Sequence, residues 1–453
     1  MTTGIGVTAG TGVTTRALVA RGDGTAPDVV TVELLPLGER DVLVELAAAA
    51  VCRTELMTVD RALAGHERPS GTDARLTVLG HAATGTVTSV GSAVTRVAPG
   101  DRVVVTGTRQ CGSCFYCLKD APGACDEIFT HMERRVGTST TGEAVWSDGG
   151  MGTHAERMVF VESNLVRVEG LAPARELALL GCGVTSGAGA VREVARVREG
   201  QSVAVSGCGH LGLWMLRTAA LAGAHPLIAI EPDPWRRERA RQAGATHVID
   251  PRLDSQRPFD LTAAVRDLTD GRGADVALEA AGTTLALRQS FELSRLGAVV
   301  VPTGLESETA VVCLDNLQYS LGSRTIRGAQ CGGGDVLRIV PEYERLLASG
   351  ALRADLVITS EHTLADAAEA YELLSDPRSL TAIILLADAD ADADADANAD
   401  ADADTDPAAH AADPAADVAD PADADAHAEA NPDADSHTDT RAHPTPPREE
   451  PAS

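Results

Sequence analysis

The stretch Val203-Ala204-Val205-Ser206-Gly207-Cys208-Gly209-His210-Leu211-Gly212 sets a short apolar run directly ahead of the pattern G-x-G-x-x-G. A helical pattern follows over Leu211–Ala222. A strand, a tight turn and a helix in that order present free backbone N–H groups and the positive end of the helix at one spot. Glycines let a pyrophosphate approach that spot closely. Alone the pattern is weak, but here the next apolar run, Leu227–Ile230, ends in Glu231, nineteen residues past Gly212. A carboxylate there accepts hydrogen bonds from the ribose hydroxyls of NAD and repels the extra phosphate of NADP. Gly207, Gly209, His210, Leu211, Gly212 and Glu231 are therefore candidate cofactor-binding residues, and NAD is the expected dinucleotide. Arg236 and Arg237, close behind, soften that discrimination.

Outward from this stretch, strand-like runs (Ser202–Ser206, Leu227–Ile230, Asp275–Leu278, Ala298–Val301) alternate with helical ones (Leu211–Ala222, Arg236–Ala243, Thr284–Leu293). The alternation predicts an α/β domain with a parallel sheet covered by helices. Residues 15–180 read differently. They are rich in Val, Thr and Gly, with alternating runs such as Val42–Val44–Leu46 and Gly85–Val90, and turns such as Ala98-Pro99-Gly100-Asp101. That predicts a β-rich domain. Strand and helix signals resume after residue 320 and end in Ala382–Leu386, a last strand or helix expected to close onto the first domain.

From Ala387 onward, Ala-Asp repeats cannot bury apolar surface and repel one another, so a disordered acidic tail is expected, with cation buffering or partner binding as the alternative. The chain of 453 residues carries a net charge of −28, of which residues 387–453 (twenty Asp/Glu, two Arg) hold −18. Such acidity argues against nucleic acid and against an anionic membrane surface. No apolar run is long enough for a membrane span, and the first residues lack the basic start and apolar centre of a signal peptide. The expected location is cytoplasmic. Lys119 is the single lysine, which excludes Schiff-base chemistry, a P-loop and a Tyr-Lys proton-transfer pair.

Nine cysteines in a chain of this length do not suggest a disulfide scaffold. Cys111, Cys114, Cys117 and Cys125 follow C-x2-C-x2-C-x7-C, a spacing that closes a tetrahedral thiolate shell of the structural zinc type, with a redox or iron–sulfur role as the remainder. Cys52 follows an apolar strand, Cys182 lies at the junction of the two zones, and Gly80-His81 lies between them. Two cysteines and one histidine leave a fourth zinc position open for water or an alcohol oxygen.

In this order, Cys52-x-Thr54, Gly80-His81, the four-cysteine loop, Gly181-Cys182-Gly183-Val184-Thr185-Ser186-Gly187 and the dinucleotide fingerprint resemble the zinc-dependent medium-chain dehydrogenases, the family of the zinc alcohol dehydrogenases. The resemblance covers roughly residues 15–386. It implies a GroES-like catalytic domain at 1–183, a Rossmann NAD-binding domain at 184–322, completion of the catalytic domain at 323–386 and the tail at 387–453. It implies two Zn2+ per chain: a catalytic one on Cys52, His81 and Cys182, and a structural one on Cys111, Cys114, Cys117 and Cys125. By the same resemblance Arg53 reaches the pyrophosphate and Arg236 lies near the adenosine ribose. Thr54 accepts the substrate hydroxyl's hydrogen bond and passes its proton outward through the NAD ribose, and Glu55 orients a zinc ligand.

Three positions depart from the family pattern. Ala82 follows the zinc-type histidine where Glu is usual, and Met57 stands where a His often ends the proton relay. Ser379–Ile383 lacks the Arg that some relatives place on the pyrophosphate. His66 is either a substitute in the relay or a solvated loop residue. Gly107, where relatives often place a pocket aromatic, implies room for a bulky or aromatic substrate. The expected activity is hydride transfer between a primary alcohol or aldehyde and NAD. A thiol-dependent formaldehyde dehydrogenase is the nearest enzyme alternative, and a silenced NAD(H)-binding regulatory protein the non-enzyme one. A homodimer or homotetramer is expected.

Overall fold

Val203–Ser206 is an inner strand of a six-stranded sheet in the computed structural model, which describes residues 12–60, 75–130, 132–252, 260–306 and 309–386. The sheet order is His247–Ile249, Leu227–Ile230, Val203–Ser206, Ala274–Glu279, Ser294–Pro302, Thr325–Ile326, and every neighbouring pair is parallel. This is the doubly wound Rossmann order. All four residues of Val203–Ser206 are buried because the sheet is covered on both faces. Val203 and Val205 pack into one core with Leu213, Trp214 and Leu216 of the helix His210–Leu221, while Ala204 faces a second core with Val265, Phe291 and Val300.

The helix Thr284–Leu293 has the extent read from the sequence. The helix Pro234–Ala243 starts two residues earlier than its apolar pattern suggests. Asp233 caps it by accepting the N–H groups of Trp235 and Arg236, and Pro234 occupies a first-turn position that has no hydrogen bond to lose.

The β-rich part has two sheets. A closed barrel joins Thr14–Ala20, Asp28–Leu34, Arg134–Ser139, Ala144–Ser147 and Leu76–Val78. A seven-stranded sheet runs Leu165–Arg167, Arg102–Val105, Ala83–Val90, Asp41–Ala50, Thr381–Leu385, Ile358–Thr363, with Arg157–Val161 also paired to Asp41–Ala50. Ala382–Leu386 thus closes onto the first domain as a strand, Ile383 lying opposite Ala50. The α/β fold class, with a β-rich domain beside a doubly wound parallel sheet, is the one read from the sequence. Thr325–Ile326 extends the parallel sheet four residues past position 322. The acidic tail at 387–453 and His66 lie outside the described residues. Among the described residues, no helix is long and apolar enough to cross a membrane.

Candidate active site

Strand pairing brings the three separated ligand candidates together. Asp41–Ala50 runs antiparallel to Ala83–Val90, with Ala49 opposite Ala83, so Cys52 leaves the first strand beside His81, which enters the second. Cys182 arrives from the turn Ala178–Gly181, docked by the Gly107 N–H on the Gly181 carbonyl (2.9 Å). One donor atom from each of Cys52, His81 and Cys182 lies within 4.8 Å of the others, and all three residues are half-buried.

The electrostatics suit a shared cation. Hydrogen bonding from the Cys182 thiol, aided by His81 and Thr54, holds Cys52 well below the usual thiol range. The facing Cys52 sulfur and burial push Cys182 well above it. Burial opposes charge on His81, but Cys182, Cys52 and Glu55 outweigh it and hold the imidazole well above its ordinary value. Two thiols and an imidazole drawn toward one point and sharing protons are a donor set that zinc fits.

Glu55 stands behind this group. Its Oε1 lies 3.0 Å from His81 Nδ1 and its Oε2 accepts the Cys52 N–H (3.3 Å). Thr54 is exposed, with its hydroxyl donating to Cys52 Sγ (3.2 Å), and Arg53 is exposed beside it. Ala82 is buried, with its Cβ only 2.8 Å from where a Cβ on Gly181 would lie. Met57 sits half-buried on the short helix Leu56–Val59, and Thr381 donates to the Val51 carbonyl (2.8 Å). Gly107 lies against His81, where an added Cβ would sit 3.3 Å from the ring.

The second group sits on the loop between Arg102–Val105 and Arg134–Ser139. The sulfurs of Cys111, Cys114, Cys117 and Cys125 all lie within 4.8 Å of one another. Cys111 and Cys125 are 3.6 Å apart, well beyond the roughly 2 Å of a disulfide. Backbone N–H groups of Cys111, Ser113, Cys114 and Glu127 point at sulfur (3.3–3.4 Å), a setting for thiolates. Buried Arg109 ties the loop's base to Asn164, Thr130 and Gly150. Gln110 bonds both the Gly334 carbonyl and the Val336 N–H.

At the fingerprint turn, Gly207 has φ +88°, and a Cβ there would meet the Ala281 backbone at 2.7–2.8 Å. Only glycine fits. His210 opens the helix and packs against Gly183, where a Cβ would come within 2.1 Å of its Nε2. That nitrogen is buried without a partner, and burial pushes the imidazole down to about 4. Glu231 is buried and its two oxygens accept the Cys208 and Asp233 N–H groups (2.8 and 2.9 Å). Arg236 donates to the Pro377 carbonyl (2.7 Å). Arg237 is committed to the Glu231 and Pro232 carbonyls and to Asp250. A cavity of about 590 Å³ opens between the cysteine loop and the ends of the parallel strands, lined by Ala121, Gly123, Val194, Pro302, Leu305 and Gln330 among others.

The sequence reading missed two residues of this site. Tyr371 donates to Glu55 Oε2 (2.7 Å) and lies 3.0 Å from His154 Nδ1. Tyr371 falls on the apolar face Ala367–Ala370–Tyr371–Leu374, where a tyrosine reads as core, and a lone histidine after Gly152-Thr153 carries no spacing signal.

Residues 38–170 match the alcohol dehydrogenase GroES-like domain, and residues 211–349 the zinc-binding dehydrogenase domain. The chain is 31% identical over 378 residues to an S-(hydroxymethyl)glutathione dehydrogenase of Photobacterium damsela subsp. piscicida, covering 82% of this chain and 99% of that protein. It is 29% identical over 382 residues to an NDMA-dependent alcohol dehydrogenase of Amycolatopsis methanolica, covering 82% and 98%. The benzyl alcohol dehydrogenase of Acinetobacter calcoaceticus superposes with a TM-score of 0.73 at 27% identity, over 83% of this chain and all of that one. The chain belongs to the zinc-dependent medium-chain dehydrogenases, oxidoreductases of the alcohol dehydrogenase type that use zinc and NAD(P) on small-molecule substrates.

Proposed function

We propose that this chain is an NAD-dependent zinc alcohol dehydrogenase acting on a primary alcohol or its aldehyde, with bulky or aromatic members favoured. The observation that carries the reading is the convergence of Cys52, His81 and Cys182 within 4.8 Å. Those three residues would hold one zinc, leaving one of four positions open, and Cys111, Cys114, Cys117 and Cys125 would hold a second with none open. The first zinc supplies a Lewis acid that polarises the substrate oxygen.

The chain's own residues do the rest. Thr54, exposed beside Cys52, holds the substrate hydroxyl proton through its own hydroxyl. Arg53 offers an exposed guanidinium to the cofactor's pyrophosphate, and the turn Gly207–Gly212 offers backbone N–H groups at a helix start. NAD is favoured over NADP because Glu231 keeps a carboxylate at the end of its strand while Arg237 is already tied up. A bulky substrate is favoured because Gly107 brings no side chain against His81. The division at 183, 322 and 386 and assembly as a homodimer or homotetramer belong to the same reading.

A second reading, oxidation of a formaldehyde–thiol adduct, is supported by the 31% identity to an S-(hydroxymethyl)glutathione dehydrogenase. NADH formation by the zinc-loaded protein, measured over ethanol, benzyl alcohol and larger primary alcohols, and over formaldehyde with and without glutathione, separates the two. Turnover of large alcohols without thiol, lost in Cys182→Ala, is expected. Turnover only of formaldehyde with thiol selects the second reading. NADH binding with no turnover of any substrate overturns both.

A further inference from the structure

Glu55 has only 1% of its surface exposed, so its charge must be met by protein groups alone. The Cys52 N–H and His81 Nδ1 account for part of that demand. A carboxylate, Asp148, lies close enough to oppose it, held by the Thr58 hydroxyl (2.8 Å).

The missing donor comes from the far end of the chain. Tyr371, on the helix Ala367–Leu373, is buried and places its hydroxyl 2.7 Å from Glu55 Oε2. The same hydroxyl is 3.0 Å from Nδ1 of His154, which is fully buried. A phenol has one proton, and a bond to an ionised carboxylate is the stronger use of it. The Tyr371 proton therefore points at Glu55, and its oxygen accepts the His154 Nδ1–H. Burial pushes His154 below its ordinary value, in keeping with a neutral ring. His154 is itself pinned by its N–H on the Leu79 carbonyl (2.9 Å) and its carbonyl on the Leu18 N–H (2.8 Å), next to the turn that carries His81.

We propose that Tyr371 and His154 are positioning residues for the three-donor site: the linked hydrogen bonds His154–Tyr371–Glu55, with the His81 Nδ1–H donating to Glu55, fix the His81 ring and leave its Nε2 lone pair free for the metal. The inference rests on the zinc reading given above. Both residues are buried behind Glu55. Their effect passes through Glu55, whose orientation sets the direction and basicity of the imidazole.

The test is zinc release from the fully loaded full-length chain into a colorimetric chelator, together with the visible spectrum of the cobalt-substituted protein. The four-cysteine site serves as the internal control. Tyr371→Phe removes one oxygen from these linked hydrogen bonds. It is expected to speed release from the three-donor site by up to about 10-fold, the low end of the cost in metal affinity of losing a direct partner of a ligand, because Tyr371 acts one bond further out. It should also shift the cobalt bands of that site and leave release from the four-cysteine site unchanged. Equal release and an unchanged spectrum overturn the proposal. Acceleration of both sites alike also overturns it, because that marks a general loss of structure. If Tyr371→Phe does not fold, His154→Phe leaves the phenol in place without its donor and is expected to act in the same direction by a smaller factor; no change at the three-donor site overturns the proposal. A wild-type chain that takes up metal only at the four-cysteine site sinks the zinc reading itself, and this inference with it.

Discussion

His210 shows how surroundings rather than sequence set the charge of a side chain. In the fingerprint it is one of the variable positions, yet its Nε2 is buried against Gly183 and burial pushes its pKa down to about 4. An unfolded histidine titrates near 6.5. Between pH 6.5 and 4 the unfolded chain therefore binds a proton that the native one refuses. Stability from the neutral ring is fully present above pH 6.5 and is lost as pH falls through the native value, by about 3 kcal/mol. Cofactor-free His210→Gln should thus lose less stability than the parent between pH 7 and pH 5, as read from urea midpoints. Parallel profiles would show that the native ring titrates normally. The ligand candidates Cys52, His81 and Cys182 are each weak alone and become legible through their order along the chain with the four-cysteine loop and the dinucleotide fingerprint, which resembles the family pattern. Tyr371 was not, because one hydroxyl on an apolar helix face leaves no pattern.

At the scale of elements, ends depend on single side chains. The helix Val336–Ala348 carries Glu344, fully buried, which accepts the N–H groups of Glu169, Gly170 and Leu171 (3.0, 2.6 and 2.9 Å). It holds the segment after the strand Leu165–Arg167 against the last third of the chain. Glu344→Gln puts an amide NH2 where N–H groups already converge. It is expected to cost about 3 kcal/mol and to lower Tm by several degrees. Glu342→Gln, two residues away, loses only ion pairs to Arg192 and Arg338 that are partly solvated, and should stay within about 0.5 kcal/mol. Equal losses in calorimetry would refute the assignment. Periodicity located four of the six strands of the parallel sheet, since strands buried on both faces read as unbroken apolar runs; the edge strands His247–Ile249 and Thr325–Ile326 are too short to show one. It misjudged the start of Pro234–Ala243, because a proline is tolerated in a first helical turn and breaks the pattern without breaking the helix.

Across the whole molecule, charge and fold separate. Residues 387–453 carry −18 of the net −28, while the last described hydrogen bond, from the Leu386 N–H to the Ala47 carbonyl, closes the seven-stranded sheet. A chain ending at Leu386 is expected to keep its turnover and Tm and to elute earlier from an anion exchanger. Lost activity or a lowered Tm would assign the tail a part in the folded enzyme. The order of motifs along the chain made the two-domain plan legible. That order did not say whether Ala382–Leu386 was strand or helix, because five apolar residues satisfy either; pairing of Ile383 with Ala50 within the strand Thr381–Leu385 decided it.

Local chemistry makes three things legible: the glycine turn that only a Gly207 at φ +88° can make, the four thiols on one short loop, and the apolar runs of a sheet buried on both sides. Which distant groups meet is set by how the chain folds. Cys52 and Cys182 face each other because two strands and a turn end at one place. Tyr371 reaches Glu55 across 316 positions because the final helix and strand return to the first sheet. The physical reason is desolvation. A group's partners, charge and tautomer follow from what excludes water around it, and that shell is assembled from segments whose separation in sequence carries no trace of it.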